Sequence, residues 1–151
     1  MIDPAPLFRL LYQHVRTQAN LPGLTPRPLA SKELRGGTSE FVITAGQDSP
    51  GGGWGSGGLL VPRAYQGYIA VHYAAETDQS KTFKDEAAVF RALTSFDRLP
   101  DVQGNPAFRG LGGAPSNWFL NPVPVEAGLP PVLTLAFDFT LEVDLTITET
   151  P

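Results

Sequence analysis

The sequence contains no cysteine among its 151 residues. Disulfide bonds, thiolate nucleophiles and cysteine-ligated zinc sites are therefore excluded. Charge is also sparse, because only 17% of residues are charged and the formal net charge is −4. Proteins that hold nucleic acid through its phosphates need clustered lysine and arginine, and this sequence has no such cluster. We therefore expect no specific binding of DNA or RNA.

Long apolar runs are missing as well. No segment approaches the roughly 20 apolar residues of a membrane-spanning helix, and the N-terminal MIDPAPLFRLL lacks the basic head and apolar centre of a signal peptide. We expect a soluble, unexported chain with no membrane partner. Its 42% hydrophobic content can fill a real core, and the length is typical of one domain, so residues 1–151 are interpreted as a single domain.

Glycine and proline, in contrast, are abundant, with 16 and 15 residues, and they concentrate in two segments. Residues 46–60 lie between two predicted strands and are expected to form a glycine-rich hairpin arm. Residues 100–131 show no sustained periodicity and are predicted to be a long Gly/Pro-rich loop. Long loops in small domains are usually functional or disordered, so both segments are candidates for contacts with other molecules.

Two segments show the apolar spacing of helices. The first is predicted to begin at Asp3 as N-cap, with Pro4 in the first turn, and to end at Pro22 and Gly23. Its apolar stripe consists of Leu7, Leu11 and Val15.

The second helix is predicted within SKTFKDEAAVFRALTSF, residues 80–96. Thr82 and Asp85 have the spacing of a capping box, with Asp85 in place of the usual Glu or Gln. Its predicted buried stripe comprises Phe83, Ala87, Phe90 and Leu93.

Strand patterns occur at residues 39–44, 65–76 and 132–148. In the first, Phe41 and Ile43 share a face; in the second, Ala70 and His72 occupy the wetter face of a half-buried strand. The third alternates strictly, and its length means that it either bends or extends past its own domain. These elements predict an α+β fold: an antiparallel sheet with two helices packed on one face, long loops and a long C-terminal strand. The odd-numbered apolar positions of the third strand are Leu133, Leu135, Phe137, Phe139, Leu141, Val143, Leu145 and Ile147.

The glycine-rich arm contains the spacing G-x-G-x-x-G at Gly53, Gly55 and Gly58. In a dinucleotide site the third glycine opens a helix that faces the pyrophosphate. Here Pro62 and a strand follow instead, so no nucleotide or other cofactor is expected.

Catalytic and metal-binding patterns are also weak. His14 and His72 lack paired ligand spacing and are interpreted as surface or interface residues. Neither Ser56 nor Ser116 has the G-x-S-x-G frame of a nucleophile elbow. Three carboxylates, Asp138, Glu142 and Asp144, share one face of the last strand and could act as acid and base, although a solvated strand face explains them more simply. We therefore expect no enzyme activity.

Two tryptophans lie in the two glycine-rich segments. Trp54, with Gly51 and Gly55 beside it, and Trp118 could each stack on a sugar ring or anchor a protein interface. We prefer the interface interpretation for all four residues.

The order and size of the elements resemble the tail terminator proteins of long-tailed bacteriophages. The resemblance covers most of the chain through the stretches APLFRLLYQHV, SEFVITAG, QGYIAVHYAAE, TFKDEAAVFRALTSF and PVLTLAFDFTLEVDLTIT, none of which is a specific motif. It implies a homohexameric ring in the virion, assembled in the host cytoplasm, that caps the tail tube and meets the tail tube protein and a head-completion protein. DNA would pass through its centre. The glycine-rich hairpin and the loop before the last strand are longer than the resemblance leads us to expect.

Several functions remain open. In a ring, Asp138, Glu142 and Asp144 either face the lumen, where negative charge lets DNA slide, or solvate an outer face. The chain could instead be another neck or tail component, such as a tail tube or head-closure protein. Functions of other classes are a carbohydrate-binding module that uses Trp54 and Trp118, and a small hydrolase.

Overall fold

The computed structural model describes residues 5–48, 60–74, 78–113, 115–121 and 131–146. The candidates Gly51, Trp54 and Gly55 and the predicted N-cap Asp3 lie outside these residues. The elements are α1 (Ala5–Gln18), β1 (Leu24–Thr25), β2 (Ser39–Asp48), β3 (Leu60–Ala74), α2 (Gln79–Ser95), α3 (Pro100–Gln103), β4 (Phe108–Gly113), β5 (Asn117–Asn121) and β6 (Val132–Thr146).

Six strands form one sheet, whose main path has the order β1-β2-β3-β6-β4. All pairs are antiparallel except β1 with β2, which is parallel. The long strand β6 pairs with β3 along its whole described length, and its other edge is covered first by β5 and then by β4. The described part of the strand, residues 132–146, therefore pairs within its own sheet along its whole length.

One face of the sheet carries the hydrophobic core, and α1 and α2 both pack on it. Leu7, Leu11 and Val15 of α1 are buried as predicted, and Val89 and Ala92 of α2 join the same cluster. The odd-numbered residues of β6 from Leu135 to Val143 supply the sheet side of the cluster. Edge-to-face ring contacts connect the layers, with Phe8 against Tyr65 and Phe90 against Phe137. The predicted α+β fold, with helices on one face of an antiparallel sheet, is confirmed.

The ends and faces of the helices differ from the sequence predictions. Helix α1 ends at Gln18 rather than at Pro22, because Asn20 adopts a left-handed backbone with φ 53°. The N-cap of α2 is Asp78, whose carboxylate accepts from the Ser80 amide. Asp85, assigned to a capping box with Thr82, instead accepts a hydrogen bond from the Tyr73 hydroxyl.

The buried stripe predicted for α2 is wrong in detail. Phe83 is 60% exposed, and the residues that face the core are Thr82, Val89 and Ala92. Phe90 and Leu93 are half-buried at the edge of that face. Both still pack against the core cluster, and the Phe90 ring lies 5.0 Å from that of Phe137.

Strand β3 is buried on both faces at its C-terminal half, so the prediction of a half-buried strand is wrong there. Ala70 and His72 are as buried as Ile69, Val71 and Tyr73. His72 is therefore neither a surface residue nor exposed for an interface. The second face of β3 carries a buried polar cluster, and the Leu29 segment contacts this cluster through a hydrogen bond to Glu40.

The prediction of a continuous loop over 100–131 is also wrong. Within it, α3, β4 and β5 are regular elements, and both strands pair with β6. Residue 114 and residues 122–130 lie outside the described part. Strand β5 has five residues and β4 has six, so both are too short to show a clear alternation of apolar and polar side chains. In addition, β4 has the sequence FRGLGG, and its glycines have no side chain that could alternate. The conformation of both strands depends on the hydrogen-bonding edge that β6 offers.

Candidate interaction surfaces

The face of the sheet opposite α1 and α2 accepts a hydrogen bond from the Leu29 amide through Glu40. It displays the even-numbered side chains of β3 and β6, which the pairing register places across from one another. At one end these side chains are buried, as with His72 and Thr134. At the other end they include the exposed Asp138 and the half-buried Glu142 and Asp144, beside the buried Ala64, and the two ends of the face therefore differ in their chemistry.

The buried end contains a polar cluster of four residues from three strands. Glu40 accepts hydrogen bonds from the Tyr68 hydroxyl at 2.6 Å and from the Leu29 amide at 3.0 Å. His72 places Nδ1 at 2.8 Å from the Thr134 hydroxyl, and its Nε2 lies 3.7 Å from the Glu40 carboxylate. Glu40, His72 and Thr134 are each at most 6% exposed. The cluster joins β2, β3 and β6 and ties the segment around Leu29 to the sheet.

Burial sets the protonation of this cluster. It lowers the pKa of His72, and the neighbouring Glu40 carboxylate only partly offsets that effect. Burial and the Glu40 charge both raise the pKa of the Tyr68 hydroxyl. The His72 Nε2 atom has no hydrogen-bond partner. The hydroxyl, carboxylate and imidazole groups of this cluster contact one another, and these contacts join the three strands.

His14 on α1 is the other histidine of the chain. It is half-buried, and its Nε2 lies 2.9 Å from the Ser95 hydroxyl at the end of α2. Burial lowers its pKa. Within the described ranges, no three His, Asp or Glu side chains come together in a group that could hold a metal ion.

The three candidate carboxylates lie along the uncovered end of the even face. Asp138 is exposed, whereas Glu142 and Asp144 are half-buried. Arg109 of β4 lies 3.3 Å from Asp144, which neutralises part of the charge at that end. The register places Glu142 across from Ala64 and Asp144 across from Pro62. The acidic strip therefore runs towards the end of the sheet from which the glycine-rich arm departs.

Trp118 lies on the helix-covered face, as part of β5. Its indole N–H donates to Glu86 of α2 at 2.6 Å, and its ring lies 5.0 Å from that of Phe83. Ser116 donates to the same carboxylate. Trp118 is consequently half-buried against its own chain. Its apolar neighbour Leu120 is 63% exposed. The sequence pattern does not identify Leu120 as a candidate surface residue, because this stretch is predicted to be a loop.

A second apolar surface lies at the opposite edge of the sheet, between α1 and β2. We call it the β2 groove; it has a volume of about 580 Å³. Its position beside the sheet edge follows from the pairing of β2, because β1 covers that edge only at Ser39 and Glu40. From Phe41 to Asp48 the outer edge has no strand partner among the described residues. The groove is lined by Phe8, Arg9, Tyr12, Pro26, Arg27, Pro28, Phe41, Val42 and Ile43.

Comparison with known proteins assigns no family to the chain: no protein-family model matches it, and no curated protein matches it either. None of the helices in the described ranges is long and apolar enough to cross a membrane.

Proposed function

We propose that the chain is a structural virion protein of a long-tailed bacteriophage, a tail terminator whose copies form a ring. The ring would cap the tail tube, meet the tail tube protein on one side and a head-completion protein on the other, and let DNA pass through its centre. It would assemble in the host cytoplasm and remain in the neck of the particle.

The observation that carries this proposal is the layered shape of the subunit. Helices α1 and α2 back one face of the sheet, and the carboxylates Asp138, Glu142 and Asp144 lie on the other. One end of the second face is buried around His72 and Thr134, and we infer that its acidic end borders the channel of the ring. The acidic side chains on that face favour passage of DNA over retention, since they repel phosphate.

The open edge of β2 supports self-association. An unpaired strand edge offers a row of backbone donors and acceptors to another chain. Phe83 and Leu120 form an exposed apolar surface near the opposite edge. Because the two surfaces are at different places on the subunit, contacts between them would be head-to-tail, and such contacts close into rings when the rotation permits.

The direct test is the mass of the purified protein in solution, combined with electron microscopy of the same sample. We expect a hexamer with a central hole. A monomer at all accessible concentrations would contradict the proposal, and an open tube of stacked rings would favour a tail tube protein. Titration with glycans tests the carbohydrate-binding alternative, for which the contact of Trp118 with Phe83 and Glu86 leaves less free indole surface.

A further inference from the structure

We propose that the subunits of the ring are joined through their backbones, with β2 of one copy pairing antiparallel with β4 of the next copy. The inference rests on the proposed ring, and it names the strands and the register by which one sheet would continue into the next. The partner is a second copy of this chain.

The sheet ends in two edges that carry no further strand among the described residues. β2 pairs with β3 on one side, and β1 covers its other side only at Ser39 and Glu40. At the opposite end of the sheet, β4 pairs with β6 on one side. Residues 45–47 of β2 and residues 112–113 of β4 are exposed. The outward backbone N–H and C=O groups of such edges can bond to another strand.

The two edges cannot meet within one chain. β3 and β6 lie between β2 and β4, so three strand spacings of about 4.8 Å separate the edges by about 14 Å. Helices α1 and α2 pack on one face of this same sheet and hold it open. A β4 strand that pairs with the outer edge of β2 must therefore belong to another copy.

The register of the sheet places the two edge segments level with each other. Ala45 of β2 is paired with Gln66 of β3. Gln66 is paired with Thr140 of β6, and Thr140 is paired with Gly112 of β4. One row of paired residues therefore runs straight across the sheet from Ala45 to Gly112. The next row on the same face consists of Gln47, Ala64, Glu142 and Gly110.

A ring preserves both the level and the direction of these strands. β2 is antiparallel to β3, β3 to β6 and β6 to β4, so β2 and β4 run in opposite directions. Rotation about a ring axis that lies along the strands changes neither the direction of a strand nor its height. β4 of the next copy therefore lies antiparallel beside β2, with Gly112 opposite Ala45 and Gly110 opposite Gln47. Head-to-tail contacts of this kind close into rings.

Neither edge segment carries the features that usually prevent strand pairing. Natural sheets protect exposed edges with lysine, proline or a bulge. Residues 45–47 read AGQ and residues 110–113 read GLGG, and the bulges of β2 and β4 lie just outside these segments. Glycine in a strand often marks a place where another backbone approaches closely. A Cβ atom at Gly112 would meet nothing within 4 Å, so this part of β4 is accessible to a neighbour.

Disulfide cross-linking tests the register, because the chain has no cysteine of its own. The double variants Ala45→Cys/Gly112→Cys and Gln47→Cys/Gly110→Cys mark the two level pairs. The same four substitutions in exchanged combinations, Ala45→Cys/Gly110→Cys and Gln47→Cys/Gly112→Cys, are matched controls. A Cβ at position 110 lies 3.9 Å from its nearest neighbour, an ordinary contact. Rings are assembled in reductant, oxidised mildly and separated on denaturing gels.

We expect each level pair to give a ladder of linked copies that ends at the hexamer. The exchanged pairs should give about tenfold less or lower, because an offset of two residues places their Cα atoms about 7–8 Å apart, beyond the usual reach of a disulfide. The four single variants should give no linked dimers. Amide hydrogen exchange of the unsubstituted protein is a second measurement: outward amides in residues 45–47 and 110–112 should become protected on assembly.

The outcomes separate this inference from the proposed function. Normal rings without preference for the level pairs, or without added amide protection at the two edges, would overturn the inference and leave the proposed function in place. Linked dimers of a single variant would also overturn it, because they would show a strand pairing with its own counterpart. An unsubstituted protein that never forms rings would contradict both.

Discussion

Gly67 of β3 gives the ring of Phe139 the space it occupies in the core. A Cβ atom at position 67 would lie 2.5 Å from Cζ of Phe139 and 2.5 Å from the Val42 carbonyl oxygen. Phe139 stacks on Phe41 with centroids 5.3 Å apart. The absence of a side chain at Gly67 therefore allows two aromatic rings from β2 and β6 to meet across β3.

Gly67→Ala should destabilise the protein for this reason. Neither the backbone carbonyl nor the packed ring can move freely, and overpacking of a core typically costs about 1–3 kcal/mol. Chemical denaturation measures the loss of unfolding free energy. Gly112→Ala is the matched control, because a Cβ at that strand position meets nothing within 4 Å. Equal stability of the two variants would show that the core relaxes around the added methyl group.

The buried histidine predicts how stability depends on pH. Because burial lowers the pKa of His72 in the folded state, the unfolded chain binds more protons once the pH falls below about 6.5. The contribution of His72 to the free energy of unfolding should thus be constant above that pH. It should decrease as the pH falls, by at most about 1.4 kcal/mol per pH unit for this residue, until the lowered pKa is reached.

His72→Gln isolates this contribution when unfolding is measured from about pH 5.5 to 7.5. We expect the free energy of unfolding of this variant to change less steeply with pH than that of the wild type, whatever the change in absolute stability. His14, whose pKa burial also lowers, adds a slope of the same sign, so His14→Gln is the parallel variant. An unchanged slope in His72→Gln would mean that the histidine titrates alike in both states.

The sequence predicts those helices and strands whose own residues show a clear apolar periodicity. β6 alternates clearly because one face lies in the core along its length, and Leu7, Leu11 and Val15 mark α1 for the same reason. β4 and β5 could not be recognised, because three glycines in β4 remove the side chains that would alternate. Their pairing depends on β6, which follows them in the chain.

The polar cluster around Glu40 could not be predicted because it forms only through strand register. Glu40 lies 28 residues from Tyr68 and contacts it across two paired strands. The local sequence did carry one signal, since His72 stands in a run of buried apolar residues from Ile69 to Tyr73. The alternation in this run predicts a half-buried strand and does not reveal that β3 has a second packed face.

Deleting residues 51–57 tests whether the glycine-rich arm acts in assembly. Ser49, Pro50, Gly58 and Leu59 remain between Asp48 and Leu60, enough for a hairpin connection of ordinary length. We expect the isolated subunit to keep its unfolding free energy within about 0.5 kcal/mol, but to lose ring formation and tail joining. Calorimetry and light scattering measure the two effects separately. Unfolding of the deleted subunit, or normal assembly, would contradict an assembly role for the arm.

The acidic strip predicts a defect in DNA passage when its charge is removed. The triple variant Asp138→Asn, Glu142→Gln, Asp144→Asn keeps side-chain size and hydrogen-bonding capacity. The variant weakens the pair of Asp144 with the 47% exposed Arg109 side chain, and exposed pairs contribute about 0–1 kcal/mol. Folding and ring formation should therefore persist, while a channel that no longer repels phosphate slows or stalls DNA ejection.

Ejection kinetics from particles that carry the variant provide the measurement. The control is Arg109→Gln, which removes a positive charge from the same end of the sheet and should leave ejection unimpaired. Wild-type kinetics in the triple variant, or a ring structure with these residues on its outer surface, would rule out a passage lined by them.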